Sequence, residues 1–252
     1  MNMNNRRFYI TPGTEALRQA GKFLAARGCA VTEEPGLTVT HLLLPVPSLE
    51  NENRIRGGEE LEAVLHRLPE NITVLGGNLD VPQLEHYQKK DFLQDPRYLA
   101  KNAAITAECA LRIAFEKLPT TLSGLPVLVL GWGRIGQCLA KLLQAMGAEV
   151  TIAARNPSAQ AIACALGYTA VPLSGLEAHL VRYRILFNTI PAPVLTEKQV
   201  IYCRPDCIKI DLASSPGIGG SGVICAKGLP GKMAPEASGQ LIARTAIRLC
   251  LE

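Results

Sequence analysis

Aromatic side chains make up only 5% of the 252 residues, with a single tryptophan, and histidine occurs four times. Charged residues reach only 19%, and the formal excess of +4 is scattered over positions such as Arg6, Arg7, Lys89, Lys90, Arg182 and Arg184. No basic run with interleaved aromatics results, so no nucleic-acid partner is expected. Long polar tracts, blocks of like charge and fixed-period repeats are also missing, which excludes a disordered chain or a repeat array. The most apolar run, residues 125–130, is far too short to span a bilayer, and MNMNNRRFYI lacks the apolar stretch of a secretory leader. No membrane association and a cytoplasmic location are the expectations.

Metal-ligand spacing is lacking as well. Of the eight cysteines, Cys109, Cys138 and Cys164 fall in alanine-rich helical patterns, and Cys225 and Cys250 have apolar flanks. Cys203 and Cys207 come close together in CRPDC, but no histidine or second cysteine pair stands near them. All eight read as reduced thiols, and no metal site is expected.

What is present is a hydrophobic fraction of 48%, ample for a core, arranged in alternating strand and helix patterns. In the C-terminal half, PVLVL, EVTIAAR, TAVPL, RILFNTIP, CIKIDLA and VIC read as strands. IGQCLAKLLQAMGA, SAQAIACALGY, LEAHL and TEKQVIYC read as helices between them, and GLPG reads as a loop. The first half alternates more weakly. RFYI, HLLLPVPS and NITVLGG read as strands, and GTEALRQAGKFLAARG, GGEELEAVLHRLP and VPQLEHYQKK as helices. From Tyr98 to Lys117 there is neither glycine nor proline, which predicts one long helix. The expected fold is α/β and two-lobed, with a smaller N-terminal α/β substrate-side lobe (1–97) and a connecting helix and turn (98–122). A doubly wound parallel sheet (123–234) and a terminal helix packing back across the hinge (235–252) complete it.

Gly131-Trp132-Gly133-Arg134-Ile135-Gly136 is a GxGxxG placed after a strand and before a helix. The first glycine permits the tight turn, the second lets backbone approach a pyrophosphate, and the third lets helix and strand pack closely. The helix N-terminus adds free N–H groups and a positive dipole. In this context the motif points to a Rossmann-type dinucleotide site. At the end of the next strand, TIAARNPS carries no carboxylate for a ribose 2′-hydroxyl. Arg155 stands there instead, with Asn156 and Ser158, where a guanidinium grips a 2′-phosphate; NADP is therefore expected ahead of NAD. Arg155 also reads as a solvated loop residue, with NAD bound loosely. Later strand ends border the same crevice and add Asn188, Thr189, Ile190 and Pro191, then Asp211, Leu212 and Ala213, as cofactor contacts. Asn188 reads equally as the cap of the following turn.

At these residues the sequence is similar to the dipicolinate synthase A subunits, the sporulation enzymes. LLLPVPS, ITVLGG, KNAAITAECAL, VLVLGWGRIG, VTIAARN, FNTIPAPVL, IDLASSPGIGG and GLPGKMAPEASGQLIA carry the resemblance in order, nearly end to end, although the first lobe reads as short for that family. The resemblance implies oxidation of a dihydrodipicolinate-type ring, on a branch of the lysine pathway, to pyridine-2,6-dicarboxylate with NAD(P)+. It also implies a flavoprotein-like B subunit as partner. A flat dicarboxylate needs cations or backbone N–H groups, and aromatisation needs a group near the carbon that loses its proton. The substrate contacts expected are Pro47, Ser48, Gly76, Gly77, Ser214, Ser215, Gly231 and Lys232, with Asn102, Thr106 and Gln240 as the catalytic set. Arg54, Arg56 and Lys101 are further candidate cations. His41, His66, His86 and His179 read as structural or exposed. Two other readings stay open: a cofactor-binding regulatory component whose chemistry lies in a partner, and another two-lobed dehydrogenase such as a shikimate-type enzyme. Exposed apolar helices also admit a homo-oligomer.

Overall fold

In this computed structural model the described residues are 6–252; the first five, part of the leader reading, lie outside them. Contacts divide the chain into two units. The chain up to Asn102 together with Pro230–Glu252 forms one, and Ala103–Leu229 forms the other.

The first unit holds a five-stranded parallel sheet made of β1 (Arg7–Ile10), β2 (Ala30–Thr32), β3 (His41–Leu43), β4 (Thr73–Gly76) and β5 (Gln88–Asp91), in the order β2-β1-β3-β4-β5. Helix α1 (Glu15–Ala26) begins where the Thr14 hydroxyl accepts the Leu17 N–H, closing one of the free first-turn amides. Its Ala16, Leu17, Ala20, Gly21 and Leu24 recur at helical spacing and are buried. Helix α2 (Leu61–Leu65) adds Leu61 and Val64 to a core with Tyr9, Leu42, Leu44, Ile55, Ile72 and Val74. Each such aliphatic side chain contributes about 1.5–3 kcal/mol by leaving water.

Two expectations in this unit are corrected. Residues 81–90, expected as a helix, form one 3₁₀ turn at Pro82–Leu84 and then β5. Pro82 starts the turn. Gln88, Lys89, Lys90 and Asp91 then pair with Thr73, Val74, Leu75 and Gly76, so tertiary pairing overrides a polar, helix-tolerant stretch. The GLPG segment, expected as a loop, is part of a short helix. The helices α3 (Pro96–Lys117), α7 (Leu229–Met233) and α8 (Pro235–Leu251) all have members in or touching this unit. The division falls inside α3, between Asn102 and Ala103.

Helix α8 packs against α1 at Gly239, where a Cβ would meet the Ala16 carbonyl oxygen at 2.5 Å and the Ala20 nitrogen at 2.8 Å. At its far end Arg248 pairs with the buried Asp95, just before α3.

The second unit is a six-stranded parallel sheet. It comprises β6 (Pro126–Leu130), β7 (Glu149–Ala154), β8 (Thr169–Pro172), β9 (Ile185–Asn188), β10 (Ile208–Asp211) and β11 (Val223–Cys225), ordered β11-β10-β9-β6-β7-β8. This is the doubly wound parallel sheet expected from the alternation. Helices α4 (Arg134–Ala145), α5 (Pro157–Ala165) and α6 (Glu197–Val200) lie in its connections. The central strands are buried on both faces, with Val127, Leu128, Val129, Leu130, Ile185, Leu186 and Phe187 fully inaccessible, as near-continuous apolar runs require. Winding reverses between β6 and β9, so a crevice opens beyond their C-terminal ends, where ligands of open α/β sheets bind. Among the described residues no helix is long and apolar enough to cross a membrane.

Candidate functional site

The crevice is floored by the glycine turn between β6 and α4. Gly131 has φ +102°, a conformation that costs a side chain dearly, and a Cβ there would stand 2.5 Å from Thr189 Oγ1. Its N–H donates to the Ala153 carbonyl at 2.8 Å, tying the turn to β7. Gly136 sits so close to the turn that a Cβ would lie 2.3 Å from the Gly131 carbonyl oxygen. Gly133 differs from both: it is exposed, and an added Cβ would meet no atom within 4 Å. Gly133 is also the N-cap of α4, and no side chain accepts from that helix's first-turn amides. The helices α1, α5 and α6 instead close theirs with Thr14, Asn156 and Thr196. An open helix N-terminus reached through a bare backbone fits a diphosphate. Trp132 lies edge-on to Tyr168 at 5.5 Å, and Gln137 Nε2 donates to the Trp132 carbonyl at 3.0 Å. Gln137 went unnoticed in the sequence; its place immediately after the motif is the signal that could have found it.

At the end of β7, Arg155 and Asn156 are exposed. Asn156 Oδ1 accepts the Ser158 N–H at 2.8 Å, so it caps α5. Arg155 and Arg134 enter no ion pair among the described residues, which leaves both guanidinium groups to solvent or ligand.

Asn188 and Asp211, by contrast, are buried and engaged internally. Asn188 Nδ2 donates to Asp211 Oδ1 at 2.9 Å and to the Ile190 carbonyl at 3.1 Å, while its Oδ1 accepts the Ile190 N–H at 3.0 Å. Asp211 also accepts N–H groups from Ala213, Gly217 and Ile218. The pair thus shapes the two loops that flank the crevice, and Asn188 takes the turn-forming one of its two readings. A Cβ on Gly217 would stand 2.3 Å from Asn188 Nδ2, so that glycine belongs to the same construction. The Thr189 hydroxyl donates to the Leu130 carbonyl at 2.9 Å. Ile190 is partly buried and Pro191 exposed, whereas Leu212 and Ala213 are buried beneath the exposed Ser214 and Ser215.

In the first unit the structure brings Ser48, Gly76 and Gly77 together. Ser48 is fully buried; its hydroxyl donates to the Pro45 carbonyl at 3.0 Å and accepts the Gly77 N–H at 3.0 Å. That proton is spent, so Ser48 joins the ends of β3 and β4 and leaves the exposed Pro47 at the surface. Gly231 is partly buried within α7 beside the exposed Lys232, and Gln240 Nε2 donates to Glu236 Oε1 at 3.3 Å on α8. Asn102 and Thr106 are one turn apart on α3, the second of them buried.

Several groups have displaced titration, His41 and the Cys203–Cys207 pair among them. Burial, reinforced by the positive charge of Arg6, holds His41 at about 4. The hydrogen bond between the buried Cys203 and Cys207 thiols draws Cys203 down to about 7 and pushes Cys207 up. Among the described residues no cluster of three or more histidine, cysteine, aspartate or glutamate side chains is placed to hold a metal ion.

Comparison with known proteins bears on this arrangement directly. The A subunit of dipicolinate synthase from Bacillus subtilis (strain 168) is 28% identical over 91% of the chain and 84% of its own length, so the expected likeness is met. The crystal structure of the dipicolinate synthase A subunit from Bacillus halodurans superposes with a TM-score of 0.86 at 22% identity, covering 100% of both chains. A transhydrogenase from Sinorhizobium meliloti shares the fold more distantly, at a TM-score of 0.69 and 12% identity over 97% of this chain and 93% of that one. Residues 70–201, just over half of the chain, match the family described as D-isomer specific 2-hydroxyacid dehydrogenase, NAD binding domain. The chain belongs to that family of NAD-binding domains, and it is an NAD(P)-dependent oxidoreductase.

Proposed function

We propose that the chain oxidises a dihydrodipicolinate-type ring to pyridine-2,6-dicarboxylate, with NADP+ preferred over NAD+, as one component of a two-component enzyme whose other component is flavoprotein-like. The observation that carries the reading is the exposed Gly133 turn leading to a strand end that presents Arg155 and no carboxylate. The end-to-end likeness to the dipicolinate synthase A subunits supports the substrate.

When bound, NADP+ would supply a hydride acceptor for the dihydro ring, whose second hydrogen would leave as a proton. The chain's own residues supply the rest. First-turn amides of α4 receive the diphosphate, and Gly133 keeps their approach clear. Arg155, held at the β7 end, takes the 2′-phosphate by charge-assisted hydrogen bonds. The Asn188–Asp211 pair holds the neighbouring strand-end loops in place. Asn102, Thr106 and Gln240 orient the substrate. The first unit offers Lys232 and the Gly231 backbone to its carboxylates, and the second offers Ser214 and Ser215. Gain of an aromatic ring drives the reaction, so proton removal demands little of any one base.

The test supplies the cyclised lysine precursor with NADP+ and follows NADPH absorbance, with and without the flavoprotein partner. NADPH formation is expected. Retained NADP+ binding with no reduction, even with the partner present, overturns the catalytic reading and assigns the chain a regulatory role.

A further inference from the structure

The first unit has a reversal of winding of its own. From β1 the chain passes through α1 to β2 on one side, and from β3 it passes through residues 44–72 to β4 on the other. The C-terminal ends of β1 and β3 therefore border a second crevice, by the same topological rule that places the glycine turn.

Arg56 ties the lips of that crevice together. On the β3 side its N–H donates to the Ser48 carbonyl at 2.9 Å, its Nε to the Pro47 carbonyl at 3.2 Å and its Nη2 to the Leu49 carbonyl at 3.3 Å. On the β1 side its own carbonyl lies against Gly13, where a Cβ would come within 2.8 Å of that oxygen. Backbone and side chain are thus both fixed, which is unusual for a long cationic side chain that is only partly buried.

The charge itself is unanswered. Arg56 enters no ion pair among the described residues, and nearby acids are engaged elsewhere. Glu50 Oε1 accepts the Gly57 N–H at 2.9 Å, and Glu59 pairs with Arg67. A guanidinium has five N–H donors. Two are spent on carbonyls, at Nε and Nη2, and three are left, two on Nη1 and one on Nη2, a fork with the spacing of a carboxylate's two oxygens.

We propose that Arg56 is the specificity-determining cation of the first unit, receiving one carboxylate of a planar dicarboxylate substrate through that fork. The inference rests on the substrate class given under Proposed function and adds the residue that reads its charge. The side-on anchors set the fork's direction before substrate arrives, so little side-chain freedom is lost on binding.

The experiment is calorimetric titration of the full chain, saturated with NADPH, with pyridine-2,6-dicarboxylate and with its uncharged isostere, pyridine-2,6-dicarboxamide. Wild type is expected to prefer the dianion. Arg56→Ala is expected to lose roughly ten- to a hundredfold in dianion affinity and to bind the diamide nearly as wild type does. Arg56→Lys, which keeps the charge without the fork, should fall between them. Trp132 emission on NADPH addition checks that each variant is folded. Equal weakening of both ligands in Arg56→Ala makes the residue a loop staple and overturns the inference, as does unchanged dianion affinity. A wild-type chain that binds NADPH but ignores the dianion overturns the substrate reading itself, and this inference with it.

Discussion

Gly133 and Gly136 belong to one motif, and alanine at each position tests a different half of the reasoning. At Gly136 an added Cβ would stand 2.3 Å from the Gly131 carbonyl oxygen and 3.1 Å from its carbon. Those backbone atoms cannot yield without moving the turn. Gly136→Ala is therefore expected to cost about 1–3 kcal/mol, even after the ~1 kcal/mol that alanine gains inside a helix. At Gly133 the backbone φ is −81°, which any residue adopts, and no atom lies within 4 Å of the new methyl. Gly133→Ala should change stability by less than about 1 kcal/mol. The methyl instead fills the approach that a diphosphate needs, so NADPH affinity should fall at least tenfold, or about 1.4 kcal/mol. The single tryptophan of the chain, Trp132, lies within the turn, so its emission during NADPH titration reports binding at the site itself. Urea unfolding reads stability. Wild-type NADPH affinity in Gly133→Ala refutes the open turn as the cofactor seat. An unchanged urea midpoint in Gly136→Ala refutes the packing argument.

Arg155→Glu should weaken NADPH roughly ten- to a hundredfold while sparing NADH, since it replaces a phosphate partner with a repelling charge; parallel titrations with both nucleotides check it, and an equal loss of both counts against a 2′-phosphate contact. Asp211→Asn removes the acceptor of at least one of three backbone amides wherever its amide nitrogen turns, either that of Ala213 or those of Gly217 and Ile218. It should cost on the order of 3 kcal/mol in urea unfolding, and a loss below about 1 kcal/mol would show that the loops hold without it. His41, 2.7 Å from Thr40 Oγ1 and 4.9 Å from the Phe8 ring, has a folded pKa of about 4 against an ordinary 6.5. Between those values the unfolded chain binds a proton that the folded one excludes. The contribution is therefore complete above pH 6.5 and is lost as pH falls toward 4. Its upper bound is about 3 kcal/mol, reduced by partial exposure. His41→Gln should flatten that acidic limb of the urea-midpoint profile, and identical limbs would contradict the burial of a neutral ring.

The second sheet was legible because its chemistry is local. β6 is a run of five apolar residues, the glycines follow immediately, and helical spacing resumes at once. β2 and β5 were not legible, for a physical reason. β5 reads Gln88-Lys89-Lys90-Asp91, and nothing in that run alternates; it is a strand because β4 offers it a row of backbone partners. The site divided the same way. Gly131, Gly133 and Gly136 announce themselves because each needs the absence of a side chain. Asn188 and Asp211 announced only their polarity, and their use was decided by a hydrogen bond spanning 23 positions. Ser48 likewise reads as a donor until Pro45 is found to hold its proton.

Helix α8 returns to the first unit only after the whole nucleotide-binding unit has been threaded through the chain. During synthesis the groove on α1 that receives Gly239, formed around Ala16 and Ala20, stays uncovered until α8 has emerged. The first unit thus completes its folding only after the second has been synthesised. A nascent chain stopped near Leu229 carries a bare apolar helix face, open to chaperones and to neighbouring chains.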